Sequence, residues 1–328
     1  MGHNHTIDEF FNESYIHKPV LWREIVDIID CSLKKGEGHL VDCTLGEGGH
    51  SEIFLKLFPE MKITAFERDS EILARAKERL SAFGSRITYI NSNFSGIADL
   101  LHPDNPPDYI LYDFGISSYH FDRSGRGFTF AGEEPLDMSL GGTDLNAYDV
   151  INRYPEKELA RIFRDYGEEK WAAWIAKILV ERRAAKPVET AAELASIVLA
   201  AIPKKFHVKN IHPATRVFQA VRIEVNQELL SIEEGLRGGF EMLNDGGIMM
   251  AISFHSLEDR IAKIFFRRMK DGCLCGNEPN RCNCMNKPFA ELLTRKPLTA
   301  MDDELKWNNR SRSAKLRAIR KLRSINGL

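Results

Sequence analysis

Residues 38–52 read GHLVDCTLGEGGHSE, and this stretch decides the fold. Leu40 and Val41 form an apolar run that passes through Asp42 into a turn carrying Gly46, Gly48 and Gly49. From His50 onward, SEIFLKLF has the apolar spacing of a helix. Strand, glycine turn and helix start, in that order, make a binding device. Glycines let the backbone approach a ligand, and the first N–H groups of a helix have no acceptor within it. Nucleotides and S-adenosylmethionine are both held by such turns, so the rest of the chain must separate them.

Working outward, Leu21, Ile25, Ile28 and Ile29 recur at helical spacing ahead of the turn. Behind it come a strand at 62–66, a helix at 70–80, a strand at 87–90 and a strand at 109–112. Strands alternating with helices predict a parallel sheet covered on both faces. Ligands of such sheets lie at the carboxyl ends of the strands, which singles out the glycine turn, Glu67, Asn93-Phe94 and Asp113. Glu67 lies 19 residues beyond Gly48, where an acid accepts hydrogen bonds from both hydroxyls of a ribose. The turn is more discriminating. A dinucleotide fingerprint wants a third glycine or alanine three residues after Gly48, and Ser51 stands there. No Gly-Lys-Ser/Thr ending of a phosphate loop follows. Both absences favour S-adenosylmethionine as the ligand.

From residue 123 the composition changes: a glycine-rich loop gives way to alanine-rich helices. Trp171, Trp174, Ile175, Ile178 and Leu179 share a helical face expected to be core, and Thr190-Ala-Ala-Glu193 is a capping box. Alternation then resumes with a long helix over 217–243, expected to break near Gly235, and a strand at 248–252 followed by SFHSLEDR. The expected division is 1–122 as the first part of a sheet domain, 123–209 as a helical insertion, and 210–328 as the second part. That last part carries a Cys-rich excursion at 273–284 and a basic C-terminal tail. Cys273, Cys275, Cys282 and Cys284 lie within twelve residues. They either close a Cys-four zinc site, with one-residue spacings tighter than a usual knuckle, or form a reduced surface excursion.

Hydrophobic content of 43% with 28% charged residues is that of a soluble globular protein. With no membrane-length apolar run and no signal peptide at the start, the expectation is a cytoplasmic protein without membrane attachment. The net charge of −2 hides an asymmetry. From Arg260 onward there are 17 Lys and Arg against 6 Asp and Glu, and 310–323 holds seven basic residues and no acid. Such a run is either a solvated terminal helix or the footprint of a polyanionic partner.

HKPVL, DCTLGEGGHS, DFGISS, RGFTF, PLDM, YGEE, HPATRVFQAVRIEVN, ISFHSLEDR and NNRSRSAKLRAI follow one another over nearly the whole chain. Together they resemble the bacterial small-subunit ribosomal RNA (cytosine-N4)-methyltransferases of the MraW type. The resemblance implies an α/β, class I (Rossmann-like) S-adenosylmethionine-dependent methyltransferase with an inserted helical substrate-recognition domain. It implies methyl transfer to the exocyclic N4 amine of a decoding-region cytosine in 16S ribosomal RNA, within the small subunit or its precursor. It carries cofactor contacts over to Gly48, Gly49, His50, Glu67, Phe94, Asp113 and His120. Two departures stand out: Glu67 where many members have Asp, and Tyr119-His120 where Pro-Gln is usual.

The amine of cytosine is a poor nucleophile because its lone pair is delocalised, so an acceptor for one of its hydrogens would assist attack. Asp113 and His255 are the candidates for proton handling, with Phe114 either stacking on the base or lying in the core. His212 is a further titratable candidate. Arg216, Arg310, Arg312 and Lys315 are the candidate phosphate contacts. Two rivals stay open: a methyltransferase acting on a small molecule or protein, and a non-catalytic RNA-binding assembly protein. The sequence also leaves open whether the chain is a monomer or a dimer.

Overall fold

The computed structural model describes residues 19–130, 132–141, 143–209, 211–272 and 287–325. In chain order the first elements are α1 (Trp22–Asp30), β1 (Gly38–Asp42), α2 (Gly49–Leu57), β2 (Met61–Phe66), α3 (Ser70–Arg79), β3 (Ile87–Ile90), α4 (Ile97–Leu100) and β4 (Tyr109–Asp113). A run of helices follows: α5 (Ser118–Asp122), α6 (Ala147–Arg153), α7 (Glu156–Asp165), α8 (Ala172–Ala185), α9 (Ala191–Ala201) and α10 (Thr215–Asn226). Then come α11 (Glu228–Met242), β5 (Ile248–Ser253), α12 (Ser256–Asp271), β6 (Ala290–Leu292), α13 (Asp302–Trp307) and β7 (Lys315–Lys321). The chain divides into two compact units, one of residues 1–116 with 229–328 and one of residues 117–228. The helical unit is thus longer than the expected 123–209, because α10 packs on α6 and α7.

The sheet unit holds seven strands among the described residues, in the order β3-β2-β1-β4-β5-β7-β6. β1 to β5 are mutually parallel, and β7 runs antiparallel between β5 and β6. This is the Rossmann-like architecture of class I methyltransferases. The near-continuous apolar runs of the central strands follow from burial on both faces. Leu40, Tyr109, Leu111, Ile248, Met250 and Ile252 enter the core under α1 and α2. Their alternating neighbours Val41, Ile110, Tyr112, Met249 and Ala251 enter the core under α11 and α12.

Two expectations are corrected here. The helix over 217–243 breaks at Gln227, whose φ of 50° is left-handed, and not at Gly235. Gly235, Gly238 and Gly239 lie inside α11 because that helix rides close on the sheet. A Cβ at Gly235 would stand 2.4 Å from the Phe94 ring, and one at Gly239 would stand 2.2 Å from the Tyr112 hydroxyl. The basic run 310–323 is no tail. Its middle is β7, and at least five of its cations have internal partners, Arg323 among them through the Lys287 and Pro288 carbonyls. Arg317 binds Asp259 through two nitrogens, at 2.7 and 3.2 Å, and Lys315 lies 3.5 Å from the same carboxylate. Arg320 pairs with Glu291. Lys321, only 1% exposed, donates to the carbonyls of Phe240, Glu241 and Leu243 at the end of α11. A cation there completes the unsatisfied carbonyls of a helix terminus.

In the helical unit the loop before α6 is fastened to α10 by Asn226. Its amide accepts from Leu140 N–H at 2.8 Å and donates to the Met138 carbonyl at 2.8 Å. Thr190 and Glu193 form the expected capping box on α9. Trp174 departs from its expected place in the core: 46% of it is exposed, with its indole N–H donating to the Ala201 carbonyl.

Candidate active site

Parallel strands whose order reverses about β1 leave a crevice at the carboxyl ends of β1 and β4. Three carboxyl groups converge there from the ends of β1, β2 and β4. Asp42 is buried, accepting from the Ser51 hydroxyl at 2.7 Å and the Thr44 N–H at 3.2 Å, so it braces the glycine turn from beneath. Glu67 accepts from Gly46 N–H and Asp69 N–H, each at 2.9 Å. Asp113 is tied down by its backbone, which donates to Thr44 Oγ1 at 2.7 Å, while its buried Oδ1 has no hydrogen-bond partner. Burial pushes the pKa of Asp42 up to about 6 and those of Glu67 and Asp113 up to about 7, with Asp42 repelling both neighbours. A nest of desolvated acids of this kind is complementary to a cation and to hydroxyl donors.

The turn above the acids is shaped by its backbone. Gly46 (φ 54°) and Gly48 (φ 85°) are left-handed. Gly46 has open space where a Cβ would stand, and a Cβ at Gly48 would press on Leu80 at 2.8 Å. Gly49 is different: a Cβ there would meet Pro19 at an ordinary 3.4 Å, so the site has less need of glycine at that position. His50, in the first turn of α2, is buried, and its Nε2–H donates to the Val20 carbonyl at 2.9 Å. Its Nδ1 lies 3.7 Å from Asp113 Oδ2. That approach is no ion pair, because burial lowers the histidine pKa to about 4 while Asp113 is held toward its protonated form. Neutral His50 therefore anchors the segment before α1 and turns an acceptor toward Asp113.

Phe94 forms an aromatic wall with Tyr112, edge-on at 5.5 Å, and with Phe114 at 6.2 Å. The Tyr112 hydroxyl donates to the Gly235 carbonyl at 2.5 Å. Phe114 belongs to the core, and Gly115 lies against Phe254, whose ring a Cβ would meet at 2.7 Å.

Glu67, Phe94, Asp113, His50 and the glycines are thus gathered in the sheet unit. His120 belongs to the helical unit, buried beside Phe128 at 5.3 Å. His212 is there too, stacked on Phe130 at 4.5 Å, and Arg216 donates to the Glu168 carbonyl. His255 caps α12: its Nδ1 accepts from Glu258 N–H, and Glu258 answers the His255 N–H. Arg310 and Arg312 are exposed on the turn before β7. Cys273, Cys275, Cys282 and Cys284 lie outside the described residues. Among the described residues, no helix is long and apolar enough to cross a membrane. Asp42, Thr44 and Ser51 were missed as site residues, although an acid closing the first strand ahead of a glycine turn was the available signal.

The profile of the MraW methylase family matches residues 14–322. The chain belongs to the MraW methylase family. It is 44% identical over 315 residues to a ribosomal RNA small subunit methyltransferase H of Geobacter sp. (strain M21), covering 94% of this chain and 100% of that one. The corresponding protein of Carboxydothermus hydrogenoformans is 44% identical, with 94% and 98% covered, and that of Clostridioides difficile is 42% identical, with 93% and 99% covered. Members are S-adenosylmethionine-dependent methyltransferases. The donor brings a sulfonium, an ammonium and a ribose diol. The desolvated acids, the unpartnered Asp113 Oδ1 and the open side of Gly46 fit that chemistry.

Proposed function

We propose that this methylase transfers a methyl group from S-adenosylmethionine to the exocyclic N4 amine of a cytosine in the decoding region of 16S ribosomal RNA. The convergence of Glu67, Asp113 and the open glycine turn at one end of the sheet carries the donor half of the proposal. The names of the relatives, all ribosomal RNA small subunit methyltransferases, support a ribosomal RNA acceptor, and the motif resemblance supports the cytosine amine within it. The bound donor supplies an electrophilic methyl on a sulfonium.

Each oxygen of Glu67 uses one lone pair on a backbone N–H, which leaves a second for a ribose hydroxyl. Gly49 and His50 contribute the helix-start N–H groups, Gly48 shapes the turn while its own N–H donates to the Leu45 carbonyl at 2.8 Å, and Phe94 gives an apolar wall. Asp113 faces the donor with Oδ1. A second reading, favoured by the same lone oxygen, has Asp113 accept a hydrogen of the target amine. Attack forms the N4–CH3 bond as the S–CH3 bond breaks, and the amine then loses a proton. Holding both partners in line supplies much of the acceleration.

The test is methyl transfer from tritium-labelled donor to isolated small subunits, free 16S RNA and protein extract, followed by nucleoside mapping. Label on N4 of a decoding-region cytidine supports the proposal. Label in protein, or on ring carbon, overturns it. Unchanged donor affinity with lost turnover in Asp113→Ala selects the second reading.

A further inference from the structure

We propose that the exposed aromatic and lysine face at the ends of α8 and α9 is a stacking platform for single-stranded RNA; this rests on the RNA-methylating reading above. After α9 the chain runs through Pro203-Lys204-Lys205-Phe206-His207-Val208-Lys209, with three lysines and no acid. All three lysines are exposed, and none has a carboxylate partner among the described residues. Phe206 is 50% exposed and packs against Trp171 at 5.1 Å, with Trp174 in the next turn of that helix. A lysine hovers over each outer ring: Lys205 at 5.0 Å from Phe206 and Lys177 at 5.9 Å from Trp174.

Exposed rings roofed by cations suit a polyanion made of flat bases. A base entering the stack displaces the ammonium from the ring face. The ammonium then needs to swing only a short way to reach the adjoining phosphate. Aromatic stacking with backbone cations is sequence-tolerant binding of single strands. The unpaired lysines give the surface a charge complementary to RNA. Lys177 also lies 3.9 Å from Glu181, so the loop lysines, free of such competition, are the stronger phosphate partners. These residues are distinct from Arg310 and Arg312, which belong to the other unit.

The experiment uses the full chain and a fluorescein-labelled single-stranded RNA of mixed sequence, read by anisotropy between low and moderate salt. Donor affinity and thermal midpoint serve as folding controls. Phe206→Leu, which keeps apolar bulk without an aromatic face, should weaken binding about tenfold or more, and Phe206→Tyr should restore it. Neutralising Lys204, Lys205 and Lys209 to Ala should flatten the log–log salt slope by about 2. Unchanged affinity and slope overturn the proposal. So does a loss seen only with duplex RNA, or only with vesicles of phosphatidylglycerol. If the variants lose oligonucleotide binding while wild type labels no ribosomal RNA, the platform stands and the methylation reading falls. If wild type labels RNA and the variants bind normally, the reverse holds.

Discussion

Donor affinity in this protein should rise steeply with pH. Glu67 and Asp113 are desolvated, and each has a pKa near 7 in the ligand-free protein, against ordinary values of 4.5 and 3.8. Below pH 7 each carries a proton in the folded state that it must release before it can accept a ribose hydroxyl or face a cation. For one such group the apparent dissociation constant scales inversely with the deprotonated fraction, so binding is about tenfold weaker at pH 6 than at pH 8. Two groups acting together make that about a hundredfold. The assay is isothermal titration of S-adenosylmethionine from pH 6 to 8, repeated in buffers of different ionisation enthalpy to count released protons. Glu67→Gln should remove one decade of the dependence while weakening binding overall. A dissociation constant that is flat across this range, with no proton release, would refute the reasoning. The same shifts carry a stability signature of known sign. The folded state holds protons that the unfolded chain has lost, so the ligand-free protein should lose stability as pH rises from about 4 through 7. Bound donor, by holding these groups ionised, should flatten that trend.

Gly235→Ala gains about 1 kcal/mol of helix propensity but drives a methyl into the Phe94 ring, an overpacking cost of about 1–3 kcal/mol. A lower thermal midpoint with weaker donor binding is expected; a rise in both would show that Phe94 moves aside freely. Lys321→Met should cost about 2–4 kcal/mol in urea unfolding, because three carbonyls, two of them buried, lose a charged donor. No change would mean that water replaces the ammonium. His255→Ala should lose about 1 kcal/mol of stability through its helix cap, with His255→Asn recovering it and turnover nearly constant in both. A collapse of turnover at unchanged stability would instead make His255 a catalytic residue.

The parallel half of the sheet was legible because each strand is a short apolar run closed by a turn or an acid, and the strand at 87–90 falls where its residues placed it. The two C-terminal strands were not. β7 reads KLRAIRK, in which Leu316, Ala318 and Ile319 are buried while lysines and arginines occupy the intervening positions. In isolation that pattern is a basic surface segment. It becomes a strand only because Asp259, Glu291 and the end of α11 wait for its cations. For the same reason, deleting residues 309–328 would remove a strand from the sheet and would not serve as a test of RNA binding. The site was legible as strand-end residues, but the pairing of His50 with Val20 and the crowding of Asp42, Glu67 and Asp113 depend on distances between strands that no local spacing encodes. The break at Gln227 was hidden for a similar reason. Gly235 looks like the weaker point in sequence, but the Phe94 ring fills the space it leaves.

The position of β7 also governs how the protein is made. β5 is complete once residue 253 has been synthesised, yet its outer edge pairs with a strand that ends at residue 321. β6 has its partner in that same late strand. During translation the growing chain therefore carries an open, apolar sheet edge across dozens of residues, the condition under which strands pair with the wrong neighbour. Closure of the sheet waits until residue 321 has been synthesised, and it brings Lys321 onto the end of α11 at the same moment.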